Sequence, residues 1–183
     1  MNETERSISQ DWPNGITHRS FTPGQDEAAI FATMDEAFQD DWRQLFGTLQ
    51  EWKATMMEQE DFDPSLWILA FDETMLVGAI LCRSLPIGKG WVDNLAVRRS
   101  WRCRGLGMAL LLSAFGECYR RGIPRILLGV DAENPTGATR LYERAGMHIT
   151  RHYLLYEKTI SPYVYFYQRR KQGGSKVTGT GVE

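Results

Sequence analysis

The stretch WVDNLAVRRSWRCRGLGMALLLSAF, from Trp91 to Phe115, constrains this chain more than any other. It reads as a strand, a basic glycine turn and a long helix. Period-two alternation puts Trp91, Asp93, Leu95 and Val97 on one face of the strand, with Val92, Asn94 and Ala96 on the other. Arg98, Arg99, Arg102 and Arg104 follow, interleaved with the start of a Gly105/Gly107 pair. In the helix the polar residues Ser113, Glu117, Arg120 and Arg121 form one narrow stripe, and nearly all else is apolar, so burial on most sides is expected. A glycine turn that presents backbone N–H groups at a helix start, flanked by arginines, suits a phosphate. Glycine there keeps a Cβ from blocking the approach of a pyrophosphate to the backbone.

The 183 residues suffice for one packed domain, with 43% hydrophobic and 24% charged residues. A formal net charge of -2 argues against nucleic acid or an anionic membrane as partner. The local basic cluster suits a small polyanion instead. Cys82, Cys103 and Cys118 are odd in number and lack metal-type spacing, which points to a reducing compartment and no metal. The start MNETERSISQ is polar and unlike a signal peptide, and no apolar run approaches the ~20 residues of a membrane helix. A cytoplasmic location is the expectation.

Residues 1–13 read as a flexible segment, 14–160 as the folded domain and 161–183 as an aromatic, then disordered, tail. The aromatic part near 162–167 is a candidate homodimer contact. Within the domain the pattern predicts an edge strand over 16–21, a helix from Gly24 to about Phe38, and a second helix reaching Met57 with Trp42, Leu45, Phe46, Leu49 and Trp52 as its apolar stripe. Strands at 66–71 and 76–85 flank the turn Asp72-Glu73-Thr74. Gly122-Ile123-Pro124 stops the long helix. Arg125 to Val130 reads as an interior strand covered on both faces. Asn134 and Pro135 read as N-cap and first residue of a further helix, with Ala138, Leu141, Tyr142 and Ala145 facing inward. Strands near 147–151 and 153–158 would close the sheet.

Alone, the turn is ambiguous. Glycines and arginines near a helix start also make ordinary solvated loops. The spacing is not a dinucleotide fingerprint, because Leu110 stands where a third glycine belongs, and no G-K-[ST] follows to make a P-loop. Read together with its downstream partner, the pattern is specific. Arg102-Cys103-Arg104-Gly105-Leu106-Gly107 resembles the Q/R-x-x-G-x-G/A signature of the GCN5-related N-acetyltransferase (GNAT) superfamily, behind a strand ending Leu95-Ala96-Val97. Asn134 through Leu141-Tyr142-Glu143-Arg144-Ala145-Gly146-Met147 resembles that superfamily's second motif, N-x(6)-LYE-x-x-G-[FM]. The resemblance spans roughly 14–158. It is closest to acetyltransferases related to mycothiol synthase, whose domains often occur in tandem, and to the second, C-terminal domain of such a pair.

The resemblance implies an α/β (α+β) fold: a mixed sheet of about six or seven strands, two splayed parallel central strands (91–97 and 125–130), and about four flanking helices. It implies acetyl-CoA as co-substrate. The amides of Arg102, Cys103, Arg104, Gly105, Leu106 and Gly107 would hold its pyrophosphate, with Arg104 the main side-chain contact. Leu95, Ala96 and Val97 would pair with the pantetheine arm, and Asn134 would hydrogen-bond it. Tyr142 would be the general acid for the departing thiolate, its ordinary pKa of about 10 lying close to a thiol's; a core aromatic is the plainer role for it.

Asp93 is the candidate general base, near Trp91 and apolar strands that would raise its pKa; an ion pair with an arginine such as Arg98 is the rival role. Asp41 and Trp42 lie between the first two helices, the region that shapes the acceptor pocket in the superfamily; Trp52, Phe62 and Trp67 are further candidates for that wall, with core the plainer role for all. His148 and His152 lack a third ligand, His18 reads as a surface residue, and Cys103 lies between arginines that favour its thiolate. The expected activity is acetyl transfer to a primary amine of a small molecule, the acidic run at 58–63 favouring a cationic one. The alternatives are an acyl-CoA-binding domain without turnover and acetylation of a protein N-terminus or lysine.

Overall fold

The structure is a computed structural model that describes residues 11–39, 47–86, 88–131, 137–152, 154, 156 and 158. Among them it contains strands β1 (Ile16–Ser20), β2 (Trp67–Asp72), β3 (Met75–Leu85), β4 (Lys89–Val97) and β5 (Ile126–Leu128). Its helices are α1 (Glu27–Phe38), α2 (Leu49–Met57), α3 (Leu106–Arg120) and α4 (Ala138–Arg144). The strands form one sheet in the order β1-β2-β3-β4-β5. Successive pairs are antiparallel up to β4, and β4–β5 is parallel.

Each face of the sheet has its own core, because alternating side chains of the same strands point opposite ways. On one face Ile30 and Met34 of α1 and Trp52 of α2 pack on Trp67, Leu69, Ala79, Leu81 and Ala96. On the other, Leu106, Leu110, Leu111 and Ala114 of α3 cover Ile68, Ala70, Val77, Ile80, Cys82 and Val92. Two glycines let α3 lie close. A Cβ on Gly78 would meet Leu110 Cδ1 at 3.0 Å, and one on Gly90 would meet Cys118 Sγ at 3.1 Å. Side chains at either position would push the helix off the sheet.

The helix count agrees with the sequence reading, but several boundaries move. The second helix begins at Leu49, because Thr48 caps it: its hydroxyl accepts from the Glu51 amide at 3.2 Å and donates to the Glu51 carboxylate at 2.9 Å. Trp42, Leu45 and Phe46 lie outside the described residues, as does Asp41. The sheet has five strands among the described residues, not six or seven. Residues 147–152 form no strand, and His148 to His152 are all exposed, without the alternating burial of a sheet strand. The predicted strand at 153–158 lies largely outside the description. β5 is shorter than 125–130 and half-buried rather than sealed on both faces, with Val130 39% exposed. On α3 the supposed polar stripe is broken: Ser113 is buried against the sheet side while Tyr119 is exposed.

Residues up to His148 form one compact unit and those from Ile149 a second, whose described members carry no helix or strand.

Candidate active site

Strict alternation along β4 fails at one residue. Leu81 pairs with Asn94 and Cys82 with Val92, leaving Asp93 with no partner on β3. Asp93 is therefore the extra residue of a β-bulge, which re-aims a side chain and changes the phase of the strand. Val92, Leu95 and Val97 all pack toward α3, while Ala96 packs toward α1. Asp93 thus does not share a face with Leu95 and Val97 as the period-two reading expected.

On its other edge β4 pairs with β5 only through Gly90–Ile126, Trp91–Leu127 and Val92–Leu128. Beyond Val92 the segment Asp93–Val97 has no parallel neighbour among the described residues. A sheet edge opens there, beside the bulge.

The turn after β4 is built by arginines pointing inward. Arg98 Nε donates to the Leu76 carbonyl at 2.7 Å, and its Nη1 pairs with Glu36 of α1. Arg102 Nε donates to the Val97 carbonyl at 3.2 Å and Nη2 to the Ala37 carbonyl at 2.8 Å. The Arg102 amide donates to the Arg99 carbonyl at 3.2 Å. Arg98 and Arg102 therefore fasten the turn to the C-terminal end of α1. Arg102 does not offer its amide freely to a ligand, and Arg98 is not the partner of Asp93. Trp101 Nε1 adds a tie to Asp72 Oδ2 at 3.0 Å.

The rest of the turn opens outward. Cys103 (φ +59°) and Gly105 (φ +85°) are both left-handed, with Arg104 between them, and all three are exposed. Left-handed residues in such a turn make adjacent amides converge on an anion. Gly105 is the N-cap of α3 and supplies no side-chain cap, and the first intrahelical bond runs from Ala109 N–H to the Gly105 carbonyl at 3.0 Å. The amides of Leu106, Gly107 and Met108 therefore have no acceptor within the helix. A Cβ at Gly105 would meet nothing within 4 Å, so the need for glycine is conformational. Gly107 differs: its Cβ would stand 3.2 Å from Leu141 Cδ2. The second glycine brings α4 close to α3.

That contact carries Tyr142, which with Leu141 and Ala145 packs on the α3 core. Burial pushes its phenol above the usual tyrosine range, so it stays protonated at neutral pH. The N-cap of α4 is Gly137, left-handed at φ +74°, not Asn134. Asn134 and Pro135 lie outside the described residues.

Asp93 is mostly buried, with its side chain 18% exposed. Burial is the main cause that lifts its carboxyl to about 6; the nearby Asp61 adds to this, and Arg83 opposes it. Arg83 Nε lies 3.1 Å from Asp93 Oδ1, within ion-pair distance yet not aligned as a hydrogen bond. Its Nη1 lies 3.4 Å from Asp61 Oδ2. Sequence reasoning missed Arg83 and Asp61. The signal was the antiparallel pairing that sets Arg83 opposite Trp91, which becomes readable only with the bulge in place.

Trp52 and Trp67 are core, at 0% and 2% exposure, and not a pocket wall; Phe62 packs edge-on against Trp67 at 5.0 Å. His18 is exposed and stacks on Trp12 at 4.3 Å. Among the described residues no group of three or more His, Cys, Asp or Glu is placed to hold a metal, and no helix is long and apolar enough to cross a membrane.

A splayed β4–β5 pair, an uncapped turn into α3 and a tyrosine-bearing α4 are joined here in one fold. The family model for the acetyltransferase (GNAT) family matches residues 29–147, and the chain belongs to that family. A mycothiol acetyltransferase from Thermomonospora curvata is 36% identical over 134 residues, covering 73% of this chain and 44% of the relative. The chain spans less than half the length of such curated relatives. A GCN5-related N-acetyltransferase from Sphaerobacter thermophilus is 46% identical with a TM-score of 0.66, over 76% of this chain and 43% of the other. Ard1 from Thermoplasma volcanium, 20% identical with a TM-score of 0.61 over 75% of this chain and 85% of its own, shares the fold.

Proposed function

We propose that this domain binds acetyl-CoA and transfers the acetyl group to a primary amine of a small molecule by direct attack in a ternary complex. One observation carries the reading: the exposed left-handed turn Cys103–Gly105, with uncapped α3 amides behind it, is separated by five residues from the end of β4, the part of that strand with no neighbour on its β5 side among the described residues. A diphosphate fits a cup of converging amides with an exposed arginine at its rim. An extended arm fits a sheet edge that lacks its neighbour.

Acetyl-CoA supplies the activated acyl group. The amides of Cys103 to Gly107 and the Arg104 guanidinium hold the pyrophosphate, while Arg102 braces the turn through its side chain. The side of β4 that β5 leaves open along Leu95, Ala96 and Val97 aligns the arm, the Val97 carbonyl itself being held by Arg102, and Asn134 of the second motif is the residue assigned to hydrogen-bond the arm. Amides beside the bulge stabilise negative charge as it develops on the carbonyl oxygen. Asp93 accepts one amine proton as the C–N bond forms. Tyr142 donates its proton to the thiolate as the C–S bond breaks, and solvent restores both groups. An Asp93 carboxyl near 6 is ionised at neutral pH yet basic enough to serve. A phenol kept protonated by burial is ready to donate.

The relatives' name, mycothiol acetyltransferase, supports a small-molecule acceptor over a protein one. Coenzyme A release measured by thiol capture, with acetyl-CoA and a panel of small amines, tests the proposal. Turnover in the wild type and its loss in Tyr142→Phe is the expected result. Acetyl-CoA binding without turnover on any amine would make the domain a binding module instead.

A further inference from the structure

Arg83 occupies an unusual place for a buried-stem arginine. Its guanidinium stands between two carboxylates from different elements, Asp93 of the β4 bulge at 3.1 Å and Asp61 of the loop after α2 at 3.4 Å. Neither contact is a close bidentate pair of the kind Arg19 makes with Asp26, at 2.6 and 2.7 Å. The Arg83 Nε is buried and makes no hydrogen bond, although a carboxylate oxygen is within reach. Arg121, by contrast, engages Glu117, Asp63 and Ser65 at once.

A tight pair would leave Asp93 unable to take a proton, since a carboxylate locked to a guanidinium loses its basicity. An unopposed buried carboxylate would stay protonated and equally unable. Sharing one cation between two acids gives an intermediate condition. We propose that Arg83 is a positioning residue for acetyl transfer, drawn partly away from Asp93 by Asp61 so that the bulge carboxylate is held in place but left free to receive the amine proton. This rests on the assignment of Asp93 as the base.

The titratable and charged groups that act on Asp93 are few among the described residues. Arg83 reaches it from β3 and Asp61 from the loop after α2, while the buried thiol of Cys82, on the α3 side of β3, feels its charge. Cys82 is pushed well up by burial and carries no charge near neutral pH, so Arg83 and Asp61 set the local field. Their effects have opposite sign, and this yields a signature that a merely structural role would not produce. Removing Arg83 takes away the cation that favours the ionised form. The acid limb of the pH profile of kcat/KM should then move upward, by about one pH unit or more for an opposite charge at this distance. Removing the Asp61 charge takes away a repelling anion and frees Arg83 to turn wholly to Asp93. The same limb should move downward.

The test compares wild type with Arg83→Met, Arg83→Lys and Asp61→Asn, assayed with acetyl-CoA and the best amine of the panel. Alongside it, the Asp93 carboxyl is titrated by 13C NMR in aspartate-labelled protein, its resonance assigned by its loss in Asp93→Asn. Opposed movements in Arg83→Met and Asp61→Asn, with Arg83→Lys staying near wild type, support the proposal. A limb and a resonance that stay put in both charge-removing variants overturn it. If the resonance moves as expected while the rate profile does not, the assignment of Asp93 as base fails, though the charge sharing stands. If Arg83→Met does not fold, the downward movement in Asp61→Asn decides.

Discussion

Gly105 stands at φ +85° with open space where a side chain would be, so substitution there isolates the cost of backbone conformation from that of a clash. A left-handed backbone costs a residue with a Cβ about 1–2 kcal/mol. Alanine recovers roughly 0.4–1 kcal/mol of this by stiffening the unfolded chain, which leaves a net loss near 1 kcal/mol. For a domain of this size that is a drop of about 2–4 °C in Tm. Asparagine stiffens the unfolded chain similarly but tolerates the left-handed region, so Gly105→Asn should stay near wild type. The ligand reading adds a second ranking. If the alanine turn relaxes toward negative φ, one amide leaves the pyrophosphate cup, and a hydrogen bond to a charged group is worth about 1.5–3 kcal/mol. Acetyl-CoA should then bind about ten- to a hundredfold more weakly to Gly105→Ala. Thermal unfolding and calorimetric titration with acetyl-CoA measure both quantities. Equal Tm and equal Kd in wild type, Asn and Ala variants would refute the argument that the turn depends on its left-handed residue.

Four further substitutions separate the roles assigned above. Tyr142→Phe should retain acetyl-CoA affinity by calorimetry while kcat falls about 100- to 10,000-fold, the usual worth of a positioned acid. Asp93→Asn should lose activity on the same scale and yet gain stability near neutral pH. The wild-type carboxyl, lifted to about 6, holds its proton more tightly folded than unfolded, so stability declines as pH rises from about 4 to about 6 and the cost persists above. That cost is roughly 2–3 kcal/mol, and urea unfolding at pH 4 and pH 7.5 should show the Asn variant's advantage only at the higher pH. Arg102→Met leaves the Val97 and Ala37 carbonyls without their donor and should destabilise by about 2–3 kcal/mol in urea. Arg104→Met should leave unfolding unchanged and weaken acetyl-CoA binding, the loss shrinking as salt rises.

The order of elements from β1 to α4 was legible because periodicity, the Gly122-Ile123-Pro124 stop and the two motifs each act through local rules. The site was legible only in part. Leu95 and Val97 follow from alternation, but Asp93 does not, since a bulge is defined by a partner strand that no single segment reveals. Charge counting misled at the turn for a similar reason. The basic cluster reads as one field, whereas Glu36 and the Leu76, Ala37 and Val97 carbonyls, remote in sequence, claim Arg98 and Arg102. Gly107 belongs to a motif associated with phosphate, yet its nearest obligation is to Leu141, in another helix. Trp52 and Trp67 take the plainer of the two roles open to them, as the floor of a core.

The extra residue in β4 divides that strand into two stretches that answer to different constraints. Substitutions on either side of Asp93 leave the frame in which Leu95 to Val97 meet their neighbours unchanged, provided that Gly90 and Val92 keep their size. Deleting the one inserted residue, by contrast, would slip both halves into a single phase and rotate every side chain upstream of it to the wrong layer. On the function proposed above, a new acceptor is therefore reached more readily by substitution in this strand than by insertion or deletion between Val92 and Asn94.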